Sequence, residues 1–178
     1  MNVTEESPAG GMAISACEFA GIVREHQAMV FSIAYHYLHD RLLAEELAQD
    51  VFLQLHQALP RLESPAHVVF WLRKVASHRA IDYGRKRKLR LVSLDRAPEP
   101  AVASKSEDPL LGERLRKLVA SLPEKFRILV ILRFQEGLEP DEIAGVLEMP
   151  VGTVKSQLQR SLAMLREKAT RYLGGGVL

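Results

Sequence analysis

EPDEIAGVLEMPVGTVKSQLQRSLAMLREK, from Glu139 to Lys168, is the stretch that decides the fold of the C-terminal half of the chain. Pro140 and the two acidic residues after it predict the first turn of a helix, because proline and negative charge both suit a helix N-terminus. A three-residue break, Glu148–Pro150, follows this short helix. Apolar residues then recur every three or four positions, as in an amphipathic helix of about four turns: Val151, Val154, Leu158, Leu162 and Leu165.

The opposite face of this second helix is small, hydrogen-bonding and basic, and it contains no acid. Its members are Gly152, Thr153, Lys155, Ser156, Gln157, Gln159 and Arg160. Two helices joined by a tight turn, the second with a polar and basic outer face, predict a helix-turn-helix that enters the DNA major groove. An ordinary helical hairpin with a solvated face is the alternative for this window alone.

The composition places limits on the class of protein. The chain has 178 residues, 47% of them hydrophobic, which predicts a globular protein of one or two domains. A single cysteine, Cys17, excludes an internal disulfide and a multi-cysteine zinc site. His26, His36 and His39 have no carboxylates at metal-ligand spacing, so we expect no metal and no cofactor.

No apolar run approaches the ~18 residues that span a bilayer, and no signal peptide is visible. We therefore expect a cytoplasmic protein without membrane insertion. A glycine-rich dinucleotide motif, a P-loop and a Ser-His-Asp set are also missing, so we expect no catalytic residues and no enzyme activity.

Two N-terminal helices differ sharply in charge. The helix predicted over Arg41–Leu59 repeats leucine or valine every four residues and carries Glu45, Glu46, Gln49, Asp50 and Gln54 on its outer face. Acids suit the start of a helix, but such a face also suits a protein partner.

The helix predicted over Ala66–Lys88 is basic instead. Eight Lys or Arg residues and one acid lie between Arg73 and Arg90, interleaved with aromatic rings and a histidine. Cations bind phosphates and rings stack on unpaired bases, so this mixture favours nucleic acid over a merely solvated face.

These patterns together predict an all-α fold of two small helical domains joined by a flexible linker, with a helix-turn-helix in the second domain. Residues 1–17 are a tail, 18–90 the first domain, 91–111 a linker rich in Pro and Ala, 112–173 the second domain and 174–178 a glycine-rich tail. Gly137 is predicted to end the helix that precedes the helix-turn-helix.

Three blocks of the chain resemble the extracytoplasmic-function sigma factors, the small two-domain branch of the bacterial sigma-70 superfamily. They are AEELAQDVFLQL (Ala44–Leu55), WLRKVASHRAIDYGRKRK (Trp71–Lys88) and the stretch Leu122–Glu167, in the family's order and spacing. The resemblance implies a factor that binds core RNA polymerase and directs promoter recognition, DNA melting and transcription initiation at a specific regulon.

The resemblance also implies a role for each block. The first would dock on the β′ clamp helices of the polymerase, and the β subunit is an implied partner as well. The residues implied in docking are Glu45, Glu46, Gln49, Asp50 and Phe52. The second would bind and melt the minus-ten element through Trp71, Arg73, Lys74, His78, Arg79, Tyr83, Arg85, Lys86, Arg87 and Lys88. The third would bind the minus-thirty-five duplex through Gly152, Thr153, Lys155, Ser156, Gln157, Gln159 and Arg160. An anti-sigma factor is the implied inhibitory partner, and no obligate homodimer is expected.

Four positions depart from the family pattern. His78 stands where Asn is usual, and Val68 stands where Phe is common. Glu148 stands at a turn position where Gly is usual, and Gln157 stands where Arg is frequent. The glutamate predicts an altered or strained turn.

Two other classes of protein remain as alternatives. A helix-turn-helix repressor or response-regulator output domain would act as a homodimer on a palindrome, but it leaves the acidic and the basic-aromatic helices without a role. An enzyme is the second alternative, and the absence of catalytic motifs weighs against it.

Overall fold

The computed structural model describes residues 16–93 and 109–174, and the side chains of 17–88 and 112–171. These residues form helices and no strand, so the predicted all-α class is confirmed. The helices are α1 (Ala16–Leu38), α2 (Arg41–Ala58), α3 (Pro65–Ser93), α4 (Pro109–Ala120), α5 (Glu124–Val130), α6 (Pro140–Leu147) and α7 (Val151–Gly174). None of the helices in these ranges is both long and apolar enough to cross a membrane.

The bounds differ from the sequence prediction in a few places. Helix α2 ends at Ala58 and continues as a 3-10 turn, Leu59–Arg61. The stretch 91–111 is helical at both ends. Helix α3 continues to Ser93, because no Gly or Pro lies between Lys88 and Ser93. Helix α4 begins at Pro109, where the fixed φ of proline suits a first helical position. Residues 1–15, 94–108 and 175–178, with most of the two predicted tails and of the linker, lie outside the described residues.

The first domain is a three-helix unit, α1–α3. Helix α2 begins where the Asp40 carboxylate accepts a hydrogen bond from the backbone N–H of Leu43 at 3.1 Å, a standard N-cap. Small residues on α2 and α3, such as Ala44, Ala76 and Ala80, are fully buried and allow the helices to approach closely. Large side chains fill the remaining space, among them Ile33, Tyr37, Leu47, Leu55 and Leu72.

Gly84 marks a close contact between α3 and the Tyr37 side chain of α1. A Cβ at this position would lie 2.9 Å from Cε1 of Tyr37, so only glycine fits without displacing the ring. The Tyr37 ring is itself buried, and burial raises the pKa of its phenol to about 12.

The second domain contains α4–α7. Helix α5 continues as one π-helical turn, Ile131–Gln135, and Gly137 then adopts a φ of +69°, so the predicted glycine stop is confirmed. In the helix-turn-helix, Ile143 and Val146 of α6 pack against Val154 of α7, all almost fully buried.

The two domains pack against each other in this structure. One buried apolar cluster runs through both of them, with Ile128, Leu132 and Leu147 from the second domain beside the core of the first. Arg127 joins them directly: its Nη1 donates to the carbonyl oxygen of Tyr37 at 3.0 Å, and its guanidinium lies 5.4 Å from the centre of the Tyr37 ring.

His39 lies at this junction, in a left-handed conformation with a φ of +53° that ends α1. Burial, assisted by the charges of Arg127 and Arg116, lowers the pKa of its imidazole to about 4. In the unfolded chain this imidazole takes up a proton as the pH falls below 6.5, whereas the folded chain resists protonation down to about pH 4. Its contribution to stability is therefore complete above pH 6.5 and is lost as the pH falls toward 4.

We predict that lowering the pH from 7 to 5 costs the wild-type chain on the order of 1–2 kcal/mol of unfolding free energy through His39. Asparagine tolerates the left-handed conformation, so His39→Asn is the variant to compare. Urea unfolding at both pH values measures the difference. Equal losses in the two proteins would show that His39 does not titrate as described.

Candidate nucleic-acid interface

The residues predicted to bind the minus-ten element all lie on α3, but they differ in exposure. Arg85, Lys86 and Lys88 are exposed and make no ion pair with another described residue. The remaining seven are half-buried, namely Trp71, Arg73, Lys74, His78, Arg79, Tyr83 and Arg87. The free positive charge is therefore concentrated near the C-terminal end of the helix.

Arg87 is partly occupied within the first domain. Its Nη1 donates to the carbonyl oxygen of Leu38 at 3.1 Å and lies 3.6 Å from Oδ2 of Asp40. Cations are favourable at helix C-termini, so Arg87 stabilises the end of α1.

Asp50 links the predicted polymerase face to the predicted DNA face. Its Oδ2 accepts hydrogen bonds from Nη1 of Arg79 at 3.0 Å and from the Tyr83 hydroxyl at 3.1 Å. Burial and this hydrogen bond raise the pKa of Tyr83. With its amide oxygen turned toward α3, Gln54 accepts from the same guanidinium. Asp50 is therefore engaged inside the fold, and it fixes two of the predicted DNA-binding side chains.

The other predicted polymerase-binding residues occupy different positions on α2. Glu46 and Gln49 are exposed, whereas Glu45 is half-buried and accepts from Nε of Arg41 at 2.8 Å. Phe52 is only 8% exposed, so it is chiefly a core residue.

Leu42 and Leu53 are exposed on α2, by 77% and 67%, and sequence analysis missed them. They share a stripe with Glu46 and Gln49, because positions four, seven and eleven residues on from a helical residue face the same way. Both leucines fall outside the four-residue apolar repeat that marks the buried face. Their position outside this repeat could have indicated that they are exposed. An open groove of about 1040 Å³ runs between α1 and α2 beside this stripe, lined by Phe19, Phe31, Phe52 and Leu53 among others.

The predicted recognition face of α7 is mostly accessible. Five of its members are exposed, namely Gly152, Lys155, Ser156, Gln159 and Arg160. Thr153 and Gln157 are half-buried, and Gln157 lines a cleft that also contains Tyr37 and His78 of the first domain.

Three predicted DNA-binding residues of α3 contact the second domain. Nζ of Lys74 donates to Oε1 of Glu148 at 2.7 Å, and Nε2 of His78 lies 3.1 Å from the carbonyl oxygen of Val146. Nε of Arg73 lies 4.0 Å from Oε2 of Glu136. The hydrogen bond and charge of Lys74 lower the pKa of Glu148, whereas burial raises the pKa of Glu136.

Trp71 is half-buried and packs against the apolar core. Its neighbour Phe70 is 40% exposed and faces Gly145 of α6, where a Cβ would lie 3.3 Å from the Phe70 ring. The aromatic residues at the start of the basic segment are therefore anchors in this structure.

Two family models match the chain, in the order of the two domains. Sigma-70 region 2 matches residues 22–90, which cover most of α1 to α3, and Sigma-70 region 4 matches residues 112–165, which include the helix-turn-helix.

Named relatives agree with these matches. An ECF RNA polymerase sigma factor, SigE of Mycolicibacterium smegmatis, is 30% identical over 158 residues, which cover 85% of this chain and 61% of that protein, so this chain spans less than two thirds of its length. The RNA polymerase sigma-E factor of Streptomyces coelicolor is 30% identical over 151 residues and 85% of both chains.

A solved structure shares the fold. The sigma factor RpoE of Bartonella quintana, crystallised in complex with the anti-sigma factor NepR, superposes with a TM-score of 0.71 at 20% identity. The similarity covers 84% of this chain and 95% of that one.

The Asp50 cluster generates a stability prediction. Asp50→Ala leaves the half-buried Arg79 without its carboxylate partner, so we expect a loss of about 1–2 kcal/mol of unfolding free energy. Glu46→Ala, one helical turn away and exposed, is the matched control and should cost less than about 0.5 kcal/mol. Urea unfolding followed by circular dichroism measures both. If the two variants lose the same stability, Asp50 is not a structural link between α2 and α3.

Proposed function

Because the chain belongs to the sigma-70 family, in its extracytoplasmic-function branch, we propose that it binds core RNA polymerase and directs transcription initiation at a specific set of promoters. The observation that carries this proposal is the combination found in one chain. The part of the chain that matches region 2 contains a helix with a cluster of exposed, unpaired cations. The part that matches region 4 follows it and contains a helix-turn-helix with an exposed polar face. The proposed functional units are 18–90 and 112–173.

Polymerase docking is assigned to the outer face of α2. Glu46 and Gln49 supply charge and hydrogen bonds there, and the exposed Leu42 and Leu53 supply the apolar surface that a buried interface needs. We assign Asp50 a supporting role, because its carboxylate already binds Arg79 and Tyr83. The β′ clamp helices are the proposed partner surface.

Minus-ten recognition and melting are assigned to α3. Arg85, Lys86 and Lys88 offer free positive charge to the phosphates, and Arg73, Lys74 and His78 become available when the second domain moves away. Unpaired bases are stabilised by stacking and by phosphate contacts. Opening the duplex in this way exchanges base stacking for protein contacts and requires no nucleotide hydrolysis, so we propose a factor that is not an enzyme and needs no cofactor.

Minus-thirty-five recognition is assigned to the exposed face of α7. Lys155 and Arg160 are exposed there, and Ser156 and Gln159 are exposed on the same helix. Side chains of this kind bind phosphates or base edges when the helix lies in a major groove. The proposed site of action is the bacterial cytoplasm, where the polymerase and the promoter are found, and an anti-sigma factor is the proposed inhibitor.

The docking assignment predicts the effect of a charge reversal. We expect Glu46→Lys to weaken binding to core polymerase about five- to tenfold, since it places the wrong sign of charge at the interface. Labelling the exposed Cys17 thiol, the chain's single cysteine, provides a fluorescence signal for a titration with core polymerase. Glu25→Lys, an equal reversal on the exposed side of α1, is the control.

The same titration tests the function as a whole. A wild-type chain that binds promoter duplex tightly alone, and core polymerase not at all, would support the repressor class instead. Equal affinities of the two variants and the wild type for polymerase would remove α2 as the docking helix.

The recognition assignment predicts two kinds of effect on α7. Lys155→Ala should weaken binding to every duplex and reduce the salt slope by about one unit, as expected for a lost phosphate contact. Arg160→Ala should instead cost roughly 1–3 kcal/mol on the preferred sequence and relax the preference at one base pair. Binding of the polymerase complex to upstream promoter duplexes, measured at several salt concentrations, separates the two effects. Wild-type behaviour of both variants at every salt would show that this face of α7 does not contact DNA.

A further inference from the structure

A small cleft of about 280 Å³ lies where α1 and α3 of the first domain meet the second domain. Six polar side chains line it, namely Tyr37, His78, Arg85, Glu124, Lys125 and Gln157, and the remaining wall is apolar. Pockets that hold drug-sized ligands measure roughly 300–1,000 Å³. The cleft therefore has room for a ligand somewhat smaller than a typical drug.

Tyr37 contributes a buried hydroxyl group to this cleft. Its side chain is 1% exposed, and the hydroxyl has no hydrogen-bond partner among the described residues. Burial raises the pKa of the phenol to about 12, so at neutral pH the group is uncharged and can donate a hydrogen bond. An unpaired buried hydroxyl lowers stability, and a phenylalanine would fill nearly the same space without this cost. The unpaired hydroxyl is therefore a candidate donor to a ligand.

The charged groups of the cleft favour a single negative charge. Arg85 and Lys125 are exposed and Glu124 is half-buried, and none of the three forms an ion pair with another described residue. Lys125 instead lies over the Phe126 ring, with Nζ 5.0 Å from the ring centre. Two cations and one carboxylate leave one positive charge in excess. A guanidinium beside a phenol supplies charged and neutral donors to the oxygens of an anion.

The apolar wall combines fixed and adaptable side chains. Ile128 and Leu147 are buried in the apolar cluster shared by the two domains, whereas Ile81 and Met149 are half-buried at its edge. A methionine side chain fits irregular shapes, and its sulfur makes favourable contacts with aromatic rings. This wall therefore suits the apolar body of a ligand, and an aromatic ring in particular.

A carboxylate fits the cleft better than a phosphate ester does. A phosphate monoester carries close to two negative charges at neutral pH, and Glu124 would repel the second of them. Phosphate sites also commonly use the backbone N–H groups of glycine-rich loops. No glycine is among the described residues that line this cleft.

We propose that the cleft binds a small aromatic carboxylate. Arg85 and the Tyr37 hydroxyl hold the carboxylate group, and Ile128, Leu147 and Met149 contact the ring. Because the hydroxyl is not accessible to solvent, the exposed side chains of Arg85 or Lys125 shift slightly as the ligand enters. The inference stands on the geometry of the cleft and goes beyond the proposed function, since it gives the chain a direct small-molecule input.

The test is a titration of the full-length chain with 2-naphthoate as the probe, followed through the NMR line shapes of the probe. We expect a dissociation constant of about 0.1–1 mM for a ligand with so few atoms. 2-Naphthylmethanol has the same rings without the charge and should bind at least about tenfold more weakly. 2-Naphthyl phosphate, with its second charge, should also bind more weakly than 2-naphthoate.

Two variants address the residues that hold the carboxylate. Arg85→Gln removes the cation and Tyr37→Phe removes only the unpaired hydroxyl, so we expect each to weaken 2-naphthoate binding about tenfold. Thermal unfolding without the probe checks the fold, and Tyr37→Phe should not lower the melting temperature. Arg24→Gln is the matched control, because it makes the same exchange at an exposed position of α1 outside the cleft.

Several results would overturn the site. They are an absence of saturable binding to the wild type, equal binding of 2-naphthylmethanol, and wild-type affinity in both cleft variants. An equal loss in Arg24→Gln would do the same, since the effect would then be one of general charge. Tighter binding of 2-naphthyl phosphate would overturn the choice of a carboxylate. The titration contains neither polymerase nor DNA, so its outcome is independent of the proposed function.

Discussion

One guanidinium group binds three backbone carbonyl oxygens where the two domains meet. Arg127 donates to the carbonyl oxygens of Tyr37 at 3.0 Å, of Ala120 at 2.5 Å and of Leu122 at 3.1 Å. Tyr37 lies in the last turn of α1 and Ala120 ends α4, so both carbonyls lack partners within their own helices. Helix C-termini carry partial negative charge, and the positive charge of the half-buried Arg127 stabilises two of these termini. Burial lowers the pKa of Arg127, but an arginine remains charged, so the domain junction depends on a cation that the pH does not remove.

The basic residues of α3 also differ in whether they have a partner within the fold. Arg85, Lys86 and Lys88 face solvent near its C-terminal end, whereas Arg87 beside them contacts Asp40. The cations nearer the start of the helix are paired with Asp50, Glu136 or Glu148. A run of basic residues in a sequence therefore overstates the positive charge available to a polyanion, because some of the cations are already paired within the fold. Asp50, the partner of Arg79, lies in the same domain as α3, whereas Glu136 and Glu148 lie in the second domain.

Much of this was predictable from local pattern. The three- and four-residue spacing of Val154 and Leu158 predicted the buried face of α7, and both are buried. Pro140 and the acids after it predicted the start of α6, and Gly137 predicted the end of the helix before it. The glutamate in a glycine position predicted an altered or strained turn, and Glu148 is in fact left-handed. What the sequence could not predict are pairs far apart in the chain. Lys74 and Glu148 are separated by 74 positions, and no periodicity connects them. Asp50 was predicted as a docking acid because a helical pattern identifies an outer face but does not show which neighbouring helix covers its edge.

The contact at Gly84 affects the position of the C-terminal end of α3. The backbone of the helix packs tightly against the Tyr37 ring at this point, and the helix then continues to Ser93. Nine residues of helix extend roughly 13 Å, so a tilt of about 10° at the clamp would swing the tip by about 2 Å. That displacement is comparable to the difference between a made and a broken hydrogen bond. A side chain at position 84 would therefore displace the basic end of α3, so a packing contact in the interior affects the position of charges on the surface.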